Sequence, residues 1–308
     1  MVSCQFFAVN WGDMRDSAVL LIDCPDRKGL VARVSGLLYE QGANILHADQ
    51  HQDHDLGLFF MRVEFGLGGG KPSEGDGAEG ARFDLEGFKG AFAPLAAELG
   101  MRWKLSADGR RPRMALFCSQ YLHCVVDLLH RWRMGELDCE ISIIISNHRE
   151  VELLAAFYGI LFKYVPVTAA TRAEAERAQL ALLAKYEVDL VVLARYMQIL
   201  SPEFVAQYPA AIINVHHSFL PAFTGARPYH AAHARGVKLI GATSHYVTAV
   251  LDDGPIIEQD VARISHRDQV EDLVARGRDL ERMVLSRAVR WHLDRRILCY
   301  ENKTVVFD

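Results

Sequence analysis

From residue 113 onward, short apolar runs alternate with segments of helical periodicity, and this alternation restricts the fold more than any other feature. The first four runs are Met114 to Ser119, Ile141 to Ser146, Phe162 to Val167 and Leu190 to Ala194. Two more, Ile212 to His216 and Leu239 to Val247, precede a long amphipathic helix from about Asp268 to Leu298. Strands that alternate with helices predict βαβ units. We therefore expect a Rossmann-like, mostly parallel sheet with helices on both faces.

The first hundred residues have a different order: strand, helix, strand, strand, helix, strand. The segments are Ala18 to Asp23, Leu30 to Leu38, Ile45 to Gln52, Leu58 to Phe65, Leu85 to Leu99 and Met101 to Leu105. This order is that of a ferredoxin-like βαββαβ domain. Within it, the Gly-rich insertion at 66–80 (GLGGGKPSEGDGAEG) has almost nothing to bury, which predicts a flexible loop. The polar turn from Asp108 to Pro112 predicts a boundary between domains 1–108 and 109–308.

The composition excludes several classes of protein. The 308 residues carry a net charge of -5, so the totals provide no basic face for nucleic acid. No apolar stretch approaches the roughly 20 residues that span a bilayer, and the N-terminus does not have the pattern of a secretory signal. The six cysteines are scattered and form no CxxC pair, which is typical of reduced thiols. We expect a cytoplasmic α/β protein.

Chemistry-bearing side chains concentrate from the end of the fifth apolar run onward. Asn214 and His216 are two residues apart at the end of a predicted strand, so they project to the same face. An amide donor and an imidazole on one face can hold a carbonyl oxygen, although the same residues also serve in ordinary turns. Asp252 begins an Asp-rich turn before Gly-Pro, where it either caps the turn or acts as a base beside His216.

A third segment, LARYMQILSP at 193–202, begins where another predicted strand ends. Ligands of open α/β sheets bind outside the carboxyl ends of the strands. A loop of apolar side chains with exposed main-chain groups can hold a flat heterocycle there. The same apolar residues are also ordinary core residues.

Together, the three segments resemble the folate-dependent formyltransferase family. The resemblance rests on Asn-x-His, on the LAR-x-MQILSP loop, and on HYVTAVLDDGP at 245–255. It implies a catalytic trio in which Asp252 is the base for water, directly or through His216, while His216 and Asn214 stabilise the oxyanion. The folate-binding residues that it implies are Arg195, Met197, Ile199, Leu200, His245 and Val247.

Further segments resemble the hydrolytic branch of that family, which releases formate from 10-formyltetrahydrofolate. They lie at 24–65, 127–137, 144–148 and 216–226, and the first looks like an ACT-type regulatory domain. The resemblance implies hydrolysis to formate and tetrahydrofolate in one-carbon and purine metabolism. Folate would be the substrate, without a tightly bound cofactor, in a homo-oligomer (dimer or tetramer). Gln120 stands where the family commonly has lysine, and the insertion at 66–80 is longer than usual.

An ACT-type domain implies a small-molecule effector, with glycine and methionine as the amino acids that the resemblance suggests. Lys28 and Gly29 lie in a turn before a predicted helix, which is a natural site for a carboxylate, and Asn44 begins the next strand. The alternative is that this domain only mediates oligomerisation.

Other functions remain open at this level. A transferase to an amine acceptor such as glycinamide ribonucleotide needs a Gly-rich loop for the acceptor phosphate, but CSQYLHC at 118–124 has no glycine. Transfer to initiator tRNA is disfavoured because no basic C-terminal domain follows. A metal-dependent hydrolase could use His216, His217, His230, His233 and His245, although no metalloprotease motif accompanies them, so we expect no metal site. A catalytically silent folate or amino-acid sensor is the last alternative.

Overall fold

The structure is a computed structural model that describes residues 17–68, 83–107, 109–221 and 228–308. The chain divides into two compact units, the first ending at Arg110 and the second running from Arg111 to Val306. Of the predicted Gly-rich insertion, residues 69–80 lie outside the described residues.

The first unit is a four-stranded antiparallel sheet with two helices. Its elements are β1 (Ser17–Pro25), α1 (Leu30–Glu40), β2 (Asn44–Asp53), β3 (Leu58–Gly66), α2 (Leu85–Leu99) and β4 (Arg102–Ala107). The strand order β2-β3-β1-β4 is that of the ferredoxin-like fold, as predicted. Alternate residues of β1, among them Leu20 and Ile22, face a core that also contains Phe88 and Phe92 of α2.

The second unit is an α/β domain. Its elements are β5 (Arg113–Cys118), α3 (His123–Arg133), β6 (Glu140–Ser146), α4 (Glu152–Tyr158), β7 (Phe162–Tyr164), α5 (Arg172–Lys185), β8 (Leu190–Leu193), α6 (Pro202–Ala206), β9 (Ile212–His216), α7 (Pro228–Arg235), β10 (Leu239–Tyr246), β11 (Ile256–Arg263), α8 (Val270–Leu293), β12 (Ile297–Tyr300) and β13 (Lys303–Val306). The main sheet has the order β11-β10-β9-β8-β5-β6-β7. Strands β5 to β9 run parallel to one another. Strand β10 pairs antiparallel with β9, and β11 pairs antiparallel with β10.

Both faces of this sheet are covered, as the continuous apolar runs predict. In β5, Met114 and Leu116 belong to one core cluster, which also contains Val284 of α8. Ala115 and Phe117 belong to a cluster on the other face. The alternation within one strand therefore places a layer of helices on each side, which confirms the predicted fold class.

The end of the chain differs from the sequence-based expectation. The last helix ends at Leu293 and not near Leu298. Arg295 has a φ of 54°, which ends the helical path, and Ile297–Tyr300 pairs with Lys303–Val306 as a hairpin. The helical spacing of apolar residues therefore continued past the true end of the helix. No helix in the described part of the chain is long and apolar enough to cross a membrane.

Candidate active site

The pairing of β9 with β10 brings three polar side chains together. Asn214 lies opposite His245 in the antiparallel ladder, and His216 lies opposite Thr243. Asn214 and His216 are two residues apart on β9, so they share one face. The amide Nδ2 of Asn214 lies 3.2 Å from Nε2 of His245, which places His245 on that face as well.

The turn after β10 folds back and delivers Asp252 to this face. The turn is closed by Tyr246, whose N–H donates to the carbonyl of Pro255 at 2.9 Å. Gly254 passes so close to Tyr246 that a Cβ at this position would lie 1.7 Å from the Tyr246 carbonyl oxygen. Asp252 has a φ of 55°, in the left-handed region that side chains rarely adopt. Such conformations are concentrated at functional sites.

His216 and Asp252 form a hydrogen-bonded dyad. Nδ1 of His216 lies 3.2 Å from Oδ2 of Asp252. The hydrogen bond from His216 lowers the pKa of Asp252 and outweighs burial, which would raise it. Because the carboxylate only accepts, Nδ1 carries a hydrogen, and in the neutral form of the ring Nε2 presents a lone pair. That Nε2 atom is buried and has no hydrogen-bond partner among the described residues.

His245 fixes the orientation of the Asn214 amide. Its Nδ1 donates to the backbone carbonyl of Tyr246 at 2.9 Å, so its Nε2 is the acceptor in the neutral ring. Burial lowers the pKa of His245. This effect outweighs the hydrogen bond to Tyr246 and the charge of Asp252, whose Oδ1 lies 3.7 Å from Nε2 of His245, both of which raise the pKa. One N–H of Asn214 therefore donates to a neutral His245.

His217 is buried beside the dyad. Its ring centroid is 5.0 Å from that of His216 and 6.2 Å from that of Tyr229. Burial, reinforced by the charges of Arg195 and His216, lowers the pKa of His217 to about 4. His217 is therefore neutral at physiological pH.

The predicted folate-binding loop follows β8, and its side chains are divided between surface and core. Met197 is 50% exposed and Ile199 is 56% exposed, whereas Leu200 is buried in the core. Two of its main-chain groups are already engaged, because the N–H of Met197 donates to Ser119 Oγ at 3.0 Å and the carbonyl of Ile199 accepts from Arg172. The apolar side chains, rather than these groups, are left for a ligand.

Two further predicted folate-binding residues, Val247 and Arg195, already make contacts within the protein, the first through its backbone and the second through its side chain. Val247 directly follows β10, and its N–H donates to the carbonyl of Ile212 at 2.9 Å. The side chain of Arg195 is only 10% exposed, and its Nε lies 3.4 Å from a carboxylate oxygen of Glu281. Arg195 therefore faces the protein interior.

Glu281 is the centre of a buried cluster that the sequence analysis did not identify. It accepts hydrogen bonds at 2.8 Å from His123 Nε2 and from the Tyr229 hydroxyl. The sequence does contain a pattern that could have identified Glu281. It lies on the buried face of α8, one turn after Gly277 and one turn before Leu285. A glutamate in an otherwise apolar stripe calls for a partner.

Among the residues that the structure describes, one group could bring three metal ligands together: His123, Cys124 and Glu281. It contains none of the histidines considered as metal ligands from the sequence, of which His230 and His233 lie on α7. Arg195 already neutralises Glu281, so this group does not have the charge balance of a cation site.

The predicted effector residues lie at the start of two elements of the first unit. Gly29 caps the N-terminus of α1 with a φ of 90°, and no side chain caps that helix. Lys28 and Asn44 are exposed, the latter at the start of β2.

The chain matches two families of known proteins. Residues 112–289 match the formyl transferase family, and residues 18–68 match the ACT domain family. The first match covers the strands and turns that carry Asn214, His216 and Asp252, and the second lies within the ferredoxin-like unit.

Two similar proteins have the same name, and each matches nearly the whole chain. A Synechocystis protein named formyltetrahydrofolate deformylase is 52% identical over 291 residues, which are 94% of this chain and 98% of that protein. A Bacillus subtilis protein of the same name is 49% identical, over 95% of this chain and 94% of that protein.

Solved structures agree with these relatives. A formyltetrahydrofolate deformylase from Pseudomonas syringae superposes with a TM-score of 0.88 at 47% identity, covering 97% of this chain and 96% of that one. A glycinamide ribonucleotide transformylase from Symbiobacterium toebii gives 0.61 at 29% identity, covering 67% of this chain and 98% of that one.

Proposed function

Since this chain belongs to the formyltetrahydrofolate deformylases, a family of hydrolases, we propose that it hydrolyses 10-formyltetrahydrofolate to formate and tetrahydrofolate. The observation that carries the mechanism is the dyad of His216 and Asp252 beside the Asn214 amide. These groups can activate water and stabilise an oxyanion. The formate would supply one-carbon and purine metabolism.

The first step is attack by water on the formyl carbon. In this proposal Asp252 acts through His216: it holds the ring with Nε2 as the base, and Nε2 takes a proton from water. The hydroxide oxygen bonds to the formyl carbon, and the carbonyl electrons move to its oxygen. The second N–H of Asn214 donates to that oxyanion, and Asp252 stabilises the imidazolium.

The second step breaks the bond between the formyl carbon and the folate nitrogen. The protonated His216 returns its proton from Nε2 to the departing nitrogen, so that tetrahydrofolate leaves as a neutral amine. The oxyanion electrons re-form the carbonyl, and the released formic acid loses its proton to solvent. Water is consumed, and His216 is neutral again.

The folate seat in this proposal is the loop after β8 together with the end of β10. Met197 and Ile199 offer large exposed apolar side chains to the pterin, and Val247 directly follows β10. Leu200, which is buried, and Arg195, whose side chain is only 10% exposed, stabilise this loop from the protein interior. His245 contributes by orienting the Asn214 amide.

The decisive experiment is to incubate the purified protein with 10-formyltetrahydrofolate in the absence of any amine. We expect formate and tetrahydrofolate to form in equal amounts. A parallel sample contains glycinamide ribonucleotide. Turnover only in that sample would mean that the chain is a transferase, and turnover in neither would indicate a silent folate or amino-acid sensor.

We further propose that the ACT unit binds glycine or methionine and regulates the hydrolysis. The exposed N-terminus of α1 at Gly29 can accept the carboxylate, with Lys28 as its counter-charge and Asn44 as a polar partner. A homodimer or homotetramer would be assembled through ACT units, as oligomerisation is the other use of such a domain.

Titration of either amino acid into the assay tests this regulation. In each of the variants Lys28→Ala and Asn44→Ala, we expect the half-effective concentration of the amino acid to rise about tenfold, because each variant loses one hydrogen bond to a charged group. The control is Lys104→Ala, an exposed lysine on β4. If neither amino acid changes the rate of the wild type, this unit does not sense them and its role is assembly.

A further inference from the structure

The cluster around Glu281 lies directly behind the two histidines of the active site. Glu281 is 1% exposed and accepts from Tyr229 and His123, each at 2.8 Å. The Tyr229 ring contacts the His217 ring in an edge-type arrangement, with the two centroids 6.2 Å apart, and His217 in turn packs against His216. A continuous row of contacts therefore runs from the helix α8 to the dyad.

Glu281 is charged in spite of its burial. Burial alone would raise the pKa of Glu281, but the hydrogen bond from His123 and the charge of Arg195 lower it below its usual value. An ion pair inside a protein gives little net stability, and removing one partner is costly because it leaves the other charge uncompensated. Retention of such a pair next to the active site calls for a role beyond stability.

Tyr229 packs closely against α8 at Gly277. A Cβ at Gly277, one turn before Glu281, would lie 2.1 Å from the Tyr229 hydroxyl oxygen. The glycine therefore provides the space in which the ring fits between α8 and His217, and Glu281 fixes the hydroxyl at its far end.

Arg195 connects the same carboxylate to the folate loop. It begins that loop with a φ of 62°, a conformation that needs support from its surroundings. Its guanidinium lies 3.4 Å from Glu281 through Nε and 5.5 Å from the centre of the Tyr121 ring. Nε makes no hydrogen bond within the described residues, so the attraction to Glu281 is electrostatic.

We propose that Glu281 is a positioning residue for the hydrolysis. Through Tyr229 it holds His217 and His216 in place, and through Arg195 it holds the start of the loop that presents Met197 and Ile199. This role rests on the proposed function, since it assigns His216 to the chemical step and the loop to folate.

The first test is Tyr229→Phe, which removes only the hydroxyl that reaches Glu281. We expect kcat to fall on the order of tenfold with KM for 10-formyltetrahydrofolate unchanged, because small displacements of a reacting group lower the rate steeply. The control is Tyr208→Phe, since Tyr208 is partly buried but lies before β9, at the end of that strand away from His216. Equal kcat values in the two variants would overturn the proposal.

The second test separates position from stability by comparing Glu281→Gln with the double variant Glu281→Gln, Arg195→Met. The single variant leaves the mostly buried charge of Arg195 without a counter-charge, so we expect lower thermal stability and a loss of kcat on the order of 100-fold. The double variant removes both charges and should recover the stability. If Glu281 positions the site, kcat stays reduced and KM rises, because the loop has lost its anchor.

Recovery of kcat and KM together with stability in the double variant would overturn the proposal, as would a wild-type rate in Glu281→Gln. Glu271→Gln, at the exposed start of α8, controls for loss of a glutamate from the same helix. The wild type is measured in the same assay. Absence of formate release there would overturn the proposed function and this role with it, whereas an active wild type together with a Tyr229→Phe variant of unchanged kcat would overturn the role alone.

Discussion

Asp252→Asn should lower kcat by about 10⁴-fold while tetrahydrofolate binds as before. The asparagine can donate its amide hydrogen to Nδ1 of His216, which then carries its own hydrogen on Nε2. The ring would present a donor to water where the reaction needs a base, and loss of the correct tautomer has a cost of this order in hydrolases with the same dyad. Initial rates with 10-formyltetrahydrofolate and calorimetric titration with tetrahydrofolate measure the two quantities.

The neighbouring aspartate provides a matched control for this substitution. Asp253 is exposed, and its backbone carbonyl accepts from Asn302 at 2.8 Å, a bond that Asp253→Asn preserves. We expect this control to keep the wild-type rate. A rate near that of the wild type in Asp252→Asn, or equal losses in both variants, would show that Asp252 does not serve the dyad.

His216→Ala should reduce turnover by on the order of 10⁴-fold or more, because it removes both the base for water and the acid for the leaving nitrogen. The folate loop lies on other elements, so binding of tetrahydrofolate should be largely retained. The same titration measures it. Substantial turnover in this variant would mean that Asp252 deprotonates water directly.

The double variant His216→Ala, Asp252→Asn separates these two routes for the proton. If the residues act as a unit, the double variant is no slower than the slower single variant. If each acts independently on water, the losses multiply. In His216→Ala, Asp252 also loses the hydrogen bond that most lowers its pKa, so any residual activity due to Asp252 should fall away at a higher pH on acidification.

The sequence predicts the fold well wherever each segment has one strong pattern. The buried strand Leu190–Leu193 and the helix Leu85–Leu99 are examples, because apolar spacing alone distinguishes them. The strand Ile256–Arg263 was not predicted, since it lies at the edge of the sheet and half of its residues are polar. The end of α8 was misplaced because Ile297 and Leu298 continue its apolar spacing.

The site shows a similar division. Asn214 and His216 could be placed on one face because strand periodicity fixes residues two apart. The contact of Asp252 with His216 depends on the path of a turn, and the burial of Arg195 depends on Glu281, 86 positions later in the chain by residue number. No local pattern contains such pairings, so the role of Glu281 becomes visible only with the fold.

The ladder between β9 and β10 also has a consequence for how the length of this chain can vary. Asn214 faces His245 through a fixed register, and a shift by one residue would turn every side chain of the strand to the opposite face. A single residue inserted within either strand would therefore dismantle the site. Residues added between Gly236 and Leu239, outside both strands, would leave that register intact, so natural or engineered insertions are to be sought there.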